Sequence, residues 1–353
     1  MADEAVLPGD LIEQILLRLP PSDPASLVCA ALVCMAWRRL VSDAGFGLRF
    51  REAHRQQRAP PMLSFLCNIT DYDVDDDDAY FTARFVPTSS CPHRDRFVPT
   101  CPLTDCSSGS GWHALDSRHG RVLLHTLPYG AMHNRMVVWD PIADEQVELP
   151  KMPQDPYPYH WGWNAALLCA TCGGDDLGCH HTPFIVVFVG SMPTMMFARV
   201  YLSEAAAWSE ITTGWLFAHD CLMRMPSALA GNMLYFQSSG SMILKYDVTT
   251  RKISKIHLPD TVDDPENVAL TVSEGGGLGF TEAVGSRLYL WSRNAGPDKD
   301  AGWTQSRVIE LDRLFSIEAL STTPEVLGFA ADGVGVIFLQ TNDGIFTVDP
   351  KSE

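Results

Sequence analysis

The sequence lacks a long apolar segment, since its longest apolar run, from Leu27 to Trp37, has eleven residues. A membrane-spanning helix needs about 20, so we expect no membrane partner. The opening MADEAVLPGD has neither the basic start nor the apolar core of a secretory signal peptide. Ten cysteines among 353 residues are too few for a disulfide scaffold. These absences predict a protein of the cytoplasm, the nucleus or both, with reduced thiols.

Basic residues are also scarce, with 26 Lys and Arg against 43 Asp and Glu and a net charge of −17. Wrapping a phosphate backbone requires a basic surface, so we expect no nucleic acid partner. Residues 1–58 balance seven acids with seven arginines, and the whole excess belongs to residues 59–353. The division predicts two domains with these bounds, the second of which prefers basic or neutral partners.

The densest acidic segment is a predicted loop at about residues 71–78, within TDYDVDDDDAY. It lacks the glycine and the terminal glutamate of a calcium-binding EF-hand loop. Consecutive aspartates also cannot all point at one ion. We interpret it as a solvated acidic loop.

Motifs of catalysis are missing too. Neither HExxH nor GxSxG occurs, and the glycine-rich residues 275–279 are not followed by Lys-Ser/Thr. We therefore expect no enzyme activity and no cofactor. The weak candidates for a metal site are Cys169, Cys172, Cys179 and His180, whose side chains suit zinc. Strand alternation would place the first two thiols on opposite faces, so buried thiols are the preferred interpretation.

Helical periodicity dominates the N-terminal residues. Leu11, Ile12, Ile15, Leu16 and Leu19 form one stripe, and Val33, Trp37, Leu40 and Val41 recur at i, i+4, i+7 and i+8. Glycines 45 and 47 are expected to break the second pattern before a last short helix. Some 50 residues with at most three short helices make a core too small to be stable alone. We therefore expect the apolar surface to be shared with a partner.

The order and spacing of the N-terminal residues resemble an F-box. The matching positions are Leu7-Pro8, Asp10-Leu11, Ile15-Leu16, Arg18-Leu19-Pro20, Leu27, Val33-Cys34, Trp37-Arg38, Val41-Ser42-Asp43 and Phe46. The resemblance implies docking onto the Skp-type adaptor of an SCF cullin–RING ubiquitin ligase. The residues then expected to form or support the adaptor-facing surface are Leu7, Pro8, Leu11, Ile15, Leu16, Leu27, Val33, Cys34 and Trp37. The alternative is a generic helical hairpin packed on the rest of the chain.

After Pro60-Pro61 the pattern changes to short apolar or alternating runs separated by turn residues. Three segments with Asp140, Asp247 and Asp349 each combine a strand, an Asp and a turn, 107 and 102 residues apart. These separations are about twice a kelch-like repeat of roughly 50 residues. The fold class predicted is therefore multidomain α + β: a small helical domain, then an all-β, kelch-like β-propeller of five to six units. The residues expected to pack between its sheets are Trp139, Trp208, Tyr246, Trp291 and Trp303.

Together with the F-box, this pattern resembles the plant, grass-type class of F-box proteins with an F-box-associated β-propeller. The resemblance implies a non-catalytic SCF subunit whose propeller recruits an unknown target for ubiquitination. Two alternatives are an adaptor-binding scaffold outside the ligase and a propeller enzyme or lectin. The chain stops at Glu353, the last residue of the segment TVDPKSE. We therefore expect either that strands from residues 62–98 complete the ring or that the last blade is incomplete.

Overall fold

The computed structural model describes residues 9–19, 24–41, 43–54, 64–72, 79–87, 112–126, 135–140, 145–153, 162–170, 182–192, 195–214, 221–293, 302–329 and 336–350. The chain divides into two compact units. The first is Met1–Ser64 with Pro87–Pro92, and the second is Phe65–Val86 with His93–Glu353. No helix within the described ranges is long and apolar enough to cross a membrane.

The described residues of the first unit form four helices. They are α1 (Gly9–Leu16), α2 (Pro24–Val33), α3 (Met35–Val41) and α4 (Ala44–His54). The expected maximum of three was wrong because the second pattern is divided at Cys34 into α2 and α3. Leu16, Ala30 and Phe46 form the buried centre of the unit, and Leu27, Trp37 and Leu40 pack against it.

Helix α4 runs through Gly45 and Gly47, which were expected to break the pattern. Asp43 accepts a hydrogen bond on Oδ2 from the Phe46 backbone N–H at 2.9 Å, as an N-terminal capping residue does. Phe46 is buried in the core, and its ring lies 5.9 Å from that of Phe50. Packing and capping outweigh the roughly 1 kcal/mol that a glycine costs inside a helix.

The second unit is a five-bladed all-β propeller, as the sequence predicted. Its described strands form five antiparallel blades in chain order and one further two-stranded sheet. Blade 1 consists of β3 (Trp112–Arg118), β4 (Arg121–Thr126), β5 (Met136–Asp140) and β6 (Glu145–Glu148). Blade 2 consists of β7 (Trp163–Cys169), β8 (Phe184–Ser191), β9 (Met196–Leu202), β10 (Ala207–Trp208) and β11 (Thr212–Gly214). Blade 3 consists of β12 (Ala228–Ala230), β13 (Met233–Gln237), β14 (Met242–Asp247) and β15 (Lys252–His257), and blade 4 of β16 (Val268–Val272), β17 (Leu278–Val284), β18 (Arg287–Arg293) and β19 (Trp303–Glu310). Blade 5 consists of β20 (Glu325–Phe329), β21 (Ile337–Thr341) and β22 (Gly344–Val348).

Each pair of consecutive blades encloses its own hydrophobic cluster. Between blades 1 and 2, for example, Val138 and Leu149 meet Trp163 and Phe188. Strands such as β4 and β5 are buried along their whole length, because residues on both faces of a sheet pack against a neighbouring sheet. This explains the continuous apolar runs in the sequence.

The aromatic residues expected between the sheets lie there. Trp139, Tyr246, Trp291 and Trp303 belong to or pack against clusters between sheets, and Trp208 packs against the cluster between blades 1 and 2. Two of them also hydrogen-bond across the interface. Trp208 Nε1 of blade 2 donates to the Pro150 carbonyl after blade 1 at 2.7 Å. Trp303 Nε1 of blade 4 donates to the His257 carbonyl of blade 3 at 2.7 Å.

The repeated aspartates mark equivalent points of alternate blades. Asp140, Asp247 and Asp349 end or follow the third strands of blades 1, 3 and 5, so each separation of just over 100 residues spans two blades. Asp247 Oδ1 accepts hydrogen bonds from the backbone N–H groups of Thr249 and Thr250, each at 2.9 Å. The predicted role of the aspartate in starting a turn is therefore confirmed at this position.

A two-stranded hairpin lies between the last blade and the first. Its strands are β1 (Ser64–Tyr72) and β2 (Ala79–Pro87). The Phe65 ring of β1 is 5.0 Å from the Phe338 ring of blade 5, measured between centroids. On the other side, Leu66 and Ala83 pack with Trp112 and Trp139 of blade 1. The sequence predicted either that an early segment completes the ring or that the last blade is incomplete. Within the described residues, blade 5 has three strands, and β1 and β2 pack between it and blade 1.

Candidate partner-binding surfaces

The helical unit exposes apolar side chains that an isolated domain would bury. Leu11 and Ile15 of α1 are 44% and 42% exposed, and because they are four residues apart they share one side of the helix. At the α2–α3 junction, Val33 and Met35 are 65% and 63% exposed on either side of the exposed Cys34. Apolar side chains that stay exposed on a unit with its own buried core are typical of a surface that a partner covers.

The predicted adaptor-binding residues fall into two groups. Leu11, Ile15, Val33 and Cys34 are exposed on the helical unit, whereas Leu16 is buried and Leu27 and Trp37 are partly buried in its core. The core residues can only support a surface. Leu7 and Pro8 lie outside the described residues. An ion pair between Arg49 of α4 and Glu13 of α1 joins the two ends of the unit.

In the propeller, polar side chains hold the blades together near the centre of the ring. Each bonds the backbone at or next to the first strand of the following sheet. Asn68 of β1 accepts from the Ala114 N–H at 2.8 Å and donates to the Ala114 carbonyl at 2.9 Å. Four other side chains form hydrogen bonds of this kind: Asp116 with the backbone of Leu167, Asn164 with that of Met223 and Met225, Gln237 with that of Pro265, and Asn267 with that of Val326. Sequence reasoning missed all five, although each is a polar residue in or beside an apolar strand.

Asp116 is the charged member of this set. Its Oδ2 accepts from the Leu167 N–H at 2.7 Å, and its Oδ1 accepts from the Ser117 N–H at 3.0 Å. The Arg118 Nε lies 3.5 Å from Oδ1; the Asp116 side chain is 5% exposed and the Arg118 side chain 11%. Arg118 Nη2 in turn donates to Ser227 Oγ of the segment before blade 3 at 3.0 Å. Burial raises the pKa of Asp116, and Arg118 and the two backbone donors oppose that rise.

His113 lies three residues before Asp116 in the same strand, β3. Its Nε2 is 3.2 Å from Asn68 Nδ2. Burial, and then the positive charge of Arg224, lower the pKa of His113 from 6.5 to about 4. The imidazole is therefore neutral at physiological pH.

Acidification is expected to destabilise the propeller through His113. The unfolded chain binds the proton near pH 6.5 and the folded chain only near pH 4. The stabilisation is therefore complete above pH 6.5 and decreases by up to about 3 kcal/mol as the pH falls to 4. Denaturant unfolding at several pH values should show a shallower decline for His113→Gln than for the wild type. The exposed His257→Gln provides the matched control, and equal slopes for all three proteins would contradict the prediction.

The weak metal candidates gain no support. Cys169 Sγ lies 3.2 Å from Thr182 Oγ1, at the end of β7. Cys172, Cys179 and His180 lie outside the described residues. Among the residues that the structure does describe, no group of three or more His, Cys, Asp or Glu side chains could hold a metal ion.

A helical unit that exposes apolar residues, followed by a five-bladed propeller, defines the class of F-box proteins with a β-propeller. Residues 6–49 match the model of the F-box domain, and residues 113–353 match the model described as F-box protein AT5G49610-like, beta-propeller. The second match covers more than half of the chain, so the protein belongs to this family. Its architecture is that of a substrate-recognition protein and fits a non-catalytic receptor.

Comparison with individual proteins adds little. No curated protein sequence matches the chain. Among solved structures, the chain is similar to the crystal structure of BBS1N in complex with ARL6DN, with 10% identity and a TM-score of 0.36. The alignment covers 69% of this chain and 67% of that chain.

Proposed function

We propose that the protein is the substrate-recognition subunit of an SCF E3 ubiquitin ligase. Residues 1–58 dock a Skp-type adaptor, and residues 59–353 recruit a target protein. The observation that carries the proposal is the exposed apolar side chains of Leu11, Ile15, Val33 and Met35 on a small F-box unit with its own buried core. F-box domains generally bind adaptors of this type.

The chain contributes proximity rather than chemistry. The adaptor connects it to a cullin–RING enzyme in the cytoplasm or nucleus, and the ubiquitin-charged E2 carries out the transfer. A target held on the propeller meets that E2 at a high effective concentration, which replaces a bimolecular encounter by a nearly intramolecular one. The propeller suits this role, because the clusters between consecutive blades, and between the hairpin and blade 1, make it a stiff support for the loops at its ends.

Reconstitution tests the proposal. The full chain, co-expressed with a Skp-type adaptor, is expected to elute with it as one complex and to recruit a cullin–RING pair in a second step. Proteins captured on this complex from the native tissue should accumulate when the proteasome is inhibited. If the chain binds the adaptor but no captured protein changes in abundance, it acts as a scaffold outside the ligase. If the adaptor does not bind at all, the proposal is wrong.

A further inference from the structure

One arginine of the propeller packs on a tryptophan and has no carboxylate partner among the described residues. Arg224 lies in the segment before β12, and its guanidinium carbon is 5.1 Å from the centroid of the Trp163 ring. Trp163 is 1% exposed, whereas Arg224 retains partial exposure. The arginine therefore covers the tryptophan and forms the solvent boundary of this part of the propeller.

The backbone on both sides of Arg224 is fixed. Asn164 Nδ2 donates to the Met223 carbonyl at 2.8 Å and to the Met225 carbonyl at 2.7 Å. The Met223 N–H donates to the Gln237 carbonyl at 3.0 Å. A side chain on such a braced segment, with its guanidinium over an aromatic ring, loses little further freedom when it binds a ligand.

The charge of Arg224 is not paired with a carboxylate of any residue that the structure describes. Four other arginines of the described ranges contact carboxylates, namely Arg49, Arg118, Arg135 and Arg287. Arg224 forms no ion pair with any described residue, and burial alone lowers its pKa. The neighbouring imidazole of His113 is neutral. Proteins pair or expose their charges because a buried, unpaired charge is costly, and a cation–π contact offsets only part of that cost.

We propose that Arg224, supported by Trp163, is a binding site for an oxyanionic side chain of the target, a carboxylate or a phosphate. The planar guanidinium offers donors that match either group in a bidentate arrangement. The inference rests on the proposed function, which supplies the peptide ligand. It also qualifies the prediction from net charge: a chain of −17 repels acidic partners at long range, and this site accepts one anionic group at short range.

The site lies at the face of the propeller where the first strands of the blades begin, since Trp163 opens β7. Arg293 provides a matched control. It lies 5.6 Å above the Trp303 ring but at the end of β18, the third strand of blade 4, and hence at the opposite face. The two arginines share the cation–π environment and differ in location, so a general effect of removing an arginine can be distinguished from loss of the site.

The experiment is an NMR titration of the full chain in complex with its adaptor. The probes are three short capped peptides of glycine around one central residue, either glutamate, phosphoserine or glutamine. The Arg224 Nε–H signal is assigned by its absence from the Arg224→Lys variant. Glutamate or phosphoserine peptide is expected to shift this signal, and glutamine peptide is not. Tighter binding of phosphoserine identifies a phosphorylated ligand, and equal or tighter binding of glutamate identifies a carboxylate.

Arg224→Gln is expected to weaken binding of the preferred peptide at least about 10-fold, and Arg293→Gln to leave it unchanged. Arg224→Lys keeps a positive charge over the ring, so its loss of peptide affinity is expected to be intermediate. This variant is the control in case the Arg224→Gln protein does not fold. The inference is overturned if neither anionic peptide shifts the signal, or if glutamine binds equally well. Adaptor co-purification of the same preparations tests the proposed function separately, because Arg224 is outside the F-box.

Discussion

Replacing Leu11 and Val33 together by aspartate is expected to lower the affinity of the chain for a Skp-type adaptor by at least about 100-fold. Each apolar side chain of this size contributes about 1.5–3 kcal/mol when a partner buries it. An aspartate in the same place adds the cost of desolvating a charge. Both residues are exposed on the helical unit, so the substitutions leave its core of Leu16, Ala30 and Phe46 intact.

Calorimetry or quantitative co-purification with the adaptor measures the effect. Ile317→Asp is the matched control, because Ile317 is an even more exposed apolar residue, at 86%, and belongs to the propeller. Circular dichroism should show the same helical signal for the wild type and the double variant. Leu16→Asp is expected to remove that signal. If the double variant recovers as much adaptor as the Ile317→Asp protein, docking through these side chains is disproved.

Replacing Asp116 by alanine is expected to lower the free energy of unfolding of the propeller by about 3–5 kcal/mol. The substitution leaves the buried Arg118 guanidinium without its carboxylate. It also removes the acceptor of the Leu167 N–H, through which blade 1 bonds blade 2. A buried charge and a buried donor that lose their partner incur the full cost of desolvation.

Denaturant unfolding followed by near-ultraviolet circular dichroism reports on the tryptophan-rich blade interfaces. Glu148→Ala is the control, because Glu148 pairs with Arg135 at 2.9 Å in the same blade but with both side chains more than half exposed. An exposed pair contributes about 1 kcal/mol or less. Equal unfolding midpoints for the two variants would show that the Asp116–Arg118 pair is unimportant for the ring.

The helical unit shows which structural features local sequence patterns can predict and which they cannot. The apolar stripe of α1 and the later periodicity predicted the helical domain, because side chains three or four residues apart share a helix face. The number of helices was wrong, because the helical pattern is interrupted at Cys34 and because Asp43 caps the start of a separate helix α4. The sequence also did not indicate which residues of the apolar stripe are buried, because the burial of Leu16 and the exposure of Ile15 depend on the folded core.

The sequence alone was enough to predict the two-part architecture, a propeller of five to six units and the interior position of the tryptophans. These follow from hydrophobic period, turn residues and spacing, all of which are local. The packing of the hairpin of β1 and β2 between blades 5 and 1, and the polar residues that join the blades, became visible only in the folded protein. Asn68, Asp116 and Asn164 meet backbone groups 46 to 61 residues away, and no local pattern encodes such a distance. Arg224 is a site candidate for the same reason, because whether a carboxylate or a tryptophan faces an arginine depends on the neighbouring blade.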